Sequence, residues 1–191
     1  MIDEFEQKYF QQATIWWYTY ECFLHKMLNR ALRTLEIDVI ILMGFFIRDL
    51  YRQIEKLHVN QYGSRETSSF VVYRGQSMPN AYFDKLQKNI GGLISFNDFL
   101  STSKMYTVSM RFARSALNDP DSVGVIFLMK IDSSIATVHF ADVEQISYTA
   151  HENEILFSMH SIFRIERIGC LEDNKKLWEV HLRLTETMMK N

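Results

Sequence analysis

Apolar and aromatic residues recur at helical spacing from Phe5 to Leu35, including Ile15, Tyr18, Cys22, Met27 and Leu28, and neither Gly nor Pro interrupts them. That pattern predicts helix. Glu36 to Asp38 breaks the run. A second helix is predicted from about Val39 to Leu57, where Arg48, Asp49, Arg52, Gln53 and Glu55 alternate with Phe46, Ile47, Leu50, Ile54 and Leu57. Val59 to Ser69, with Asn60, Gly63 and Ser64, reads as a linker.

From Phe70 onward the pattern changes to short β-type runs. Strands are predicted at Phe70–Arg74, Leu93–Leu100, Val123–Ile131, Ala136–Phe140, Ile155–Phe157, Ile162–Ile168 and Leu177–Leu184. Two helices interrupt them, one opened by Pro79-Asn80 and running to Lys88, the other from Val108 to Leu117. Helices first and strands later favour α+β over a wound α/β sheet. Many short strands in so short a chain predict two small, mostly antiparallel sheets packed face to face. The expected organisation is one domain, with a helical lobe over 1–60 and a β-rich core over 69–185.

The chain has 191 residues, 47% of them hydrophobic and 14% aromatic, so it can build a substantial core. A formal net charge of -2 argues against nucleic acid as the partner. Cys22 and Cys170 are the only cysteines. They form no disulfide framework, and reduced buried thiols are expected ahead of a single bridge. No Cys-x-x-Cys or His-x-x-x-His spacing occurs, so no metal site is expected. Met1 to Phe10 is charged and unlike a secretory signal. The most apolar window, Val39 to Ile47, is about half the length a transmembrane helix needs. A soluble, cytoplasmic monomer with no membrane contact is the expectation. Thr185 to Asn191 reads as the start of a linker or tail.

Three strings carry candidate chemistry: Tyr73-Arg74-Gly75, Phe99-Leu100-Ser101-Thr102-Ser103 and Glu152-Asn153-Glu154. An arginine at a strand end can fork onto a phosphate, and a following glycine lets a ligand approach the backbone. Taken alone, Arg74 reads as a surface arginine before a turn glycine. The hydroxyls of Ser101, Thr102 and Ser103 could bind a ligand or cap the next helix. Two glutamates two residues apart on an extended chain leave the same face, roughly 7 Å apart. They could be solvated edge residues, but the run turns apolar directly after Glu154, where burial can tune a carboxylate. Paired glutamates alone would also fit a glycosidase, which leaves Arg74 and the hydroxyls without a role.

In order and spacing the three strings resemble the arginine-specific mono-ADP-ribosyltransferases of the R-S-E type, which include vertebrate ecto-enzymes and the enzymatic components of bacterial binary toxins. That family pairs an Arg on the first core strand with a Ser-Thr-Ser strand and a Glu-x-Glu strand end. Tyr18-Thr19 and Asn29 to Arg33 resemble it more weakly. The resemblance implies NAD as co-substrate and a protein with an exposed arginine as acceptor, without a metal. It assigns catalytic roles to Arg74, Ser101, Glu152 and Glu154, and NAD contacts to Tyr73, Arg74, Gly75, Ser101, Thr102, Phe112 and Glu154. Glu154 would stabilise the ribosyl cation, Ser101 would hold Glu154 or the ribose, and Arg74 would clamp the diphosphate. Gly75 backbone groups would meet the nicotinamide amide, and Phe112 would stack on its ring or pack in the core. Glu152 would orient and deprotonate the incoming guanidinium. Tyr148 and the loop Gln145 to His151 would face the acceptor. NAD hydrolysis by water, or silent NAD binding, are the alternatives.

Overall fold

The computed structural model describes residues 9, 12–20, 23–63, 69–135, 138–148, 151–171 and 176–185. Four helices come first: α1 (Thr14–Thr19), α2 (Phe23–Thr34), α3 (Ile37–Leu42) and α4 (Gly44–Tyr62). The long first helix of the sequence reading is thus broken. Tyr20 turns extended with ψ 119° after α1, and Leu35, at φ 56°, ends α2 in the left-handed region. Cys22 lies outside the described residues. The second predicted helix also divides, at Met43 between α3 and α4. Phe46, Leu50 and Ile54 recur at i, i+4, i+8 on α4 and are fully buried. They form one cluster with Ile15, Trp17 and Tyr18 of α1. None of the described helices is long and apolar enough to cross a membrane.

The remaining elements are β1 (Ser69–Pro79), α5 (Asn80–Gln87), β2 (Leu93–Phe96), β3 (Leu100–Ser103), α6 (Tyr106–Arg114), β4 (Ser122–Asp132), β5 (Phe140–Asp142), β6 (Glu154–Phe157), β7 (Ser161–Cys170) and β8 (Leu177–Leu184). The eight strands form one sheet in the order β2-β7-β8-β4-β1-β3-β6-β5. The expectation of two sheets is therefore corrected to one hydrogen-bonded ladder. The two halves join at β1, which runs beside β4 for its whole length but meets β3 only at Tyr73↔Ser103. Every pairing is antiparallel except β4 with β8.

That narrow junction lets the sheet fold over on itself. Phe157 of β6 and Phe163 of β7 are five places apart in the strand order, yet their ring centroids lie 6.2 Å apart. The core between the wings draws Val72, Leu100, Phe127, Phe140, Ile155, Phe163 and Val180 from seven strands. Hydrophobic burial thus packs two faces together without separating the ladder. The predicted Leu93–Leu100 strand is split by Asn97 to Phe99, and its halves, β2 and β3, pair with different wings.

Alternation along β6 sets the placement of the site. Ile155 and Phe157 face the core between the wings, whereas Leu156 packs with the helices. Glu154 shares the parity of Leu156 and faces the helical side. The free edge of β5 is closed by side chains of α4. His58 Nδ1 lies 2.9 Å from the Phe140 carbonyl, and the Gln61 amide both donates to the Asp142 carbonyl and accepts from its N–H. These two residues, one helical turn apart, satisfy an edge that would otherwise be open to another strand. Cys170 ends β7 exposed, not buried as expected.

Candidate active site

Three chain segments meet where β1 parts from β3. Ser101, on β3, donates to Glu154 Oε1 at 2.5 Å, and Ser147 donates to Glu154 Oε2 at 3.1 Å. Arg74, on β1, donates from Nη1 to the Ser101 carbonyl at 2.8 Å and from Nε to Gln76 at 3.3 Å. A guanidinium has five N–H donors, so Arg74 keeps most of them for a ligand. The cleft around these groups encloses about 330 Å³. Tyr73, Arg74, Gly75, Ser101, Thr102, Phe112, Glu152 and Glu154 all line it, whereas Tyr148 does not.

Their roles within it differ. Ser101 alone of the three hydroxyls reaches Glu154. Thr102 turns its hydroxyl to the Ile155 carbonyl at 2.8 Å. Ser103 accepts from the Met105 N–H, which leads into α6, and donates to the Glu152 carbonyl at 2.5 Å. It therefore ties the strand exit to the acidic loop as an anchor, and the helix N-terminus carries no side-chain cap. Phe112 is 45% exposed on α6, so it is a wall of the cleft and not part of the core. Tyr73 packs edge-on against Tyr106 with centroids 5.3 Å apart.

The two glutamates do not lie on a common extended strand. Only Glu154 belongs to β6, while Asn153 at φ 47° and His151 at φ 86° bend the chain on both sides of Glu152. Positive φ is uncommon outside glycine, and Asn and His are among the residues that adopt it more often. Hydrogen bonds from Ser103 to Glu152 O and from the Lys104 N–H to Asn153 O hold this turn. The environments of the two acids consequently diverge. Glu154 is 5% exposed, whereas the Glu152 side chain is 31% exposed and pairs with Arg111 of α6 at 3.1 Å. Burial pushes the Glu154 carboxyl above its ordinary range; bonds from Ser101 and Ser147 oppose this, the Glu152 charge adds to it, and Arg74 counters it.

Gly75 has a second reason beside the one its neighbourhood to Arg74 implied. A Cβ there would lie 1.7 Å from the Ser109 carbonyl oxygen of α6, and at Gly124, on the adjacent strand β4, 2.3 Å from the Ala113 carbonyl oxygen. The two glycines leave a flat seat on which α6 lies against the sheet backbone. Ala113, Ile126 and Leu177 close the seat. The glycine freedom is thus spent on a helix, which in turn places Phe112 at the cleft.

The helical lobe supplies the opposite wall through Tyr18, Thr19, His25, Lys26, Asn29 and Arg33. His25, Asn29 and Arg33, not expected as a set from sequence, stand at i, i+4, i+8, and that polar periodicity on α2 is the signal that could have found them. Tyr18 is buried, with its hydroxyl 2.8 Å from the Phe99 carbonyl and 3.0 Å from Asn29 Oδ1. Burial, with Asp98 nearby, keeps its phenol far above the ordinary range. Tyr148 packs edge-on against Trp16 and tilted against Tyr20, with centroids 5.4 and 4.5 Å away, and its N–H is bonded to Thr19 Oγ1. Ser147 and Arg111 carry no signal in sequence; only the folded loop and helix bring them to the acids. No group of three His, Cys, Asp or Glu among the described residues could hold a metal ion.

No protein-family model and no curated protein sequence matches the chain. Solved structures do. The ADP-ribosyltransferase Vis in complex with agmatine superposes with a TM-score of 0.67 at 22% identity, over 93% of this chain and 75% of Vis. Plx2a, an ADP-ribosyltransferase toxin from Paenibacillus larvae, gives 0.66 at 18% identity, over 97% and 92%. The Clostridium limosum C3 exoenzyme gives 0.62 at 16% identity, over 91% and 83%. The bent eight-stranded sheet with its helical lobe is thus the fold that these ADP-ribosyltransferases have.

Proposed function

We propose that this chain transfers ADP-ribose from NAD to arginine side chains of protein acceptors, releasing nicotinamide. The observation that carries the reading is the buried Glu154 carboxylate gripped through both oxygens by Ser101 and Ser147, with the Arg74 guanidinium on the Ser101 carbonyl. A phosphate clamp and a cation stabiliser are thereby fixed to one strand junction.

The chemistry follows from charge. Heterolysis of the nicotinamide–ribose bond sends the bonding pair to nicotinamide, which leaves neutral, and leaves an oxocarbenium-like ribosyl group. A carboxylate fixed beside it stabilises that charge without reorganising. Burial disfavours the anion of Glu154, and the positive nicotinamide ring favours it by opposite charge. Arg74 binds the diphosphate with its remaining donors. Phe112 offers a face to the nicotinamide ring. Glu152, at the mouth, receives the acceptor guanidinium, whose ordinary pKa above about 12 requires a base to take its proton as the nitrogen attacks. The reading is further supported by the agmatine bound to the fold neighbour Vis, since agmatine is a guanidine.

The test incubates the protein with labelled NAD and agmatine or an arginine-rich protein. Wild type should label the guanidine, and Glu154→Ala should not. Glu152→Gln should lose at least about a hundredfold of the transfer while still releasing nicotinamide. Nicotinamide release with no labelling by the wild type, unchanged in Glu152→Gln, would select hydrolysis by water. NAD binding with no turnover would select a silent binding module.

A further inference from the structure

Glu152 already holds a guanidinium. Arg111 Nη2 lies 3.1 Å from Glu152 Oε1, and among the described residues this carboxylate has no other side-chain partner. The guanidinium carbon also lies 5.4 Å from the centroid of the Phe112 ring. Both ends of the pair rest on fixed supports. Arg111 sits on α6, which is seated on the backbone at Gly75 and Gly124. Glu152 sits in the turn held by Ser103 and Lys104.

We infer that Arg111 occupies the acceptor's seat, so that an incoming arginine binds by displacing it. This rests on the arginine-transfer reading of the same site. The group that Glu152 would receive from an acceptor is chemically the group it holds at rest. The resident copy is tethered, which gives it a high effective concentration against a free guanidine. Acceptor affinity is then reduced by the fraction of molecules in which the pair is closed. The penalty is modest, because Arg111 is 67% and Glu152 31% exposed, and exposed ion pairs persist by about two- to fivefold. A protein acceptor that buries the mouth can meet that penalty through its wider contact, whereas a small guanidine cannot.

The experiment measures steady-state transfer to agmatine and, separately, nicotinamide release in water, for wild type and Arg111→Gln. The exposed position on α6 tolerates Gln, a good helix former. The expected result is a KM for agmatine lowered about two- to fivefold, with kcat for nicotinamide release and the KM for NAD unchanged. An unchanged or raised KM for agmatine would overturn the inference. A raised KM for NAD alone would put Arg111 on the dinucleotide and overturn it as well. The underlying reading fails differently, by absence of any guanidine labelling in the wild type.

Discussion

Gly75→Ala tests the seat of α6 most directly. The added methyl would lie 1.7 Å from the Ser109 carbonyl oxygen and 3.0 Å from the Ala113 nitrogen, and Cβ atoms essentially never approach closer than 3.0 Å. Both neighbours are helix backbone, so no side-chain rotation relieves the clash. α6 would have to withdraw by more than an ångström, or β1 would have to bow away from its Ile126 partner. Overpacking of this kind costs about 1–3 kcal/mol, and a clash with backbone belongs at the upper end. At about 2–4 °C of Tm per kcal/mol for a chain of this size, the melting temperature should fall by roughly 6–12 °C. The assay is thermal unfolding followed by circular dichroism. Gly44→Ala is the control, because a Cβ there meets nothing within 4 Å. That change should leave Tm unaltered or raise it slightly. A Gly75→Ala protein that melts within a degree of wild type would refute the account of why glycine stands after Arg74.

The remaining predictions concern the site. Glu154→Gln should lower nicotinamide release by about a hundredfold or more, measured with labelled NAD. The same variant should gain stability over wild type as pH rises. The folded Glu154 carboxyl is raised above its ordinary 4.5, so the native state holds the proton more tightly than the unfolded chain. Wild-type stability from this group is therefore present below pH 4.5 and lost as pH climbs through the folded value, and a difference in Tm between the two proteins that is flat from pH 4 to 8 would contradict it. Ser101→Ala and Ser147→Ala each remove a bond that favours the Glu154 anion, so the acid limb of kcat/KM should move to higher pH in both; an unmoved limb would separate these hydroxyls from the carboxylate. Tyr18→Phe leaves the Phe99 carbonyl and the Asn29 amide without the phenol, at a cost of about 1–3 kcal/mol in thermal unfolding.

Several features of the molecule were legible residue by residue. The spacing of Phe46, Leu50 and Ile54 marked the buried face of α4 because burial on one side of a helix must repeat every three to four residues. The unbroken apolar run of β4 marked a strand covered on both faces. The strings around Arg74, Ser101 and Glu154 named the residues that converge, since each chemical group is present in the side chain whatever the fold. Sequence did not reveal which groups act on which. Ser103 and Thr102 look as reactive as Ser101, and only the register of β3 against β6 turns one hydroxyl to the carboxylate and the other two to backbone carbonyls. The period-two rule misjudged Glu152, because left-handed backbone at His151 and Asn153 takes it off the strand.

The chain by itself determined which elements form and which side chains could do chemistry, since these follow from local periodicity and functional groups. Tertiary structure decided that the strands make one bent sheet instead of two, through a junction as narrow as Tyr73↔Ser103. It also decided that Gly75 serves a helix, that Ser147 completes the grip on Glu154, and that Arg111 rests on Glu152. Those pairings join residues 7 to 41 positions apart. No local rule reaches across such separations, because close packing of the whole chain sets their distances.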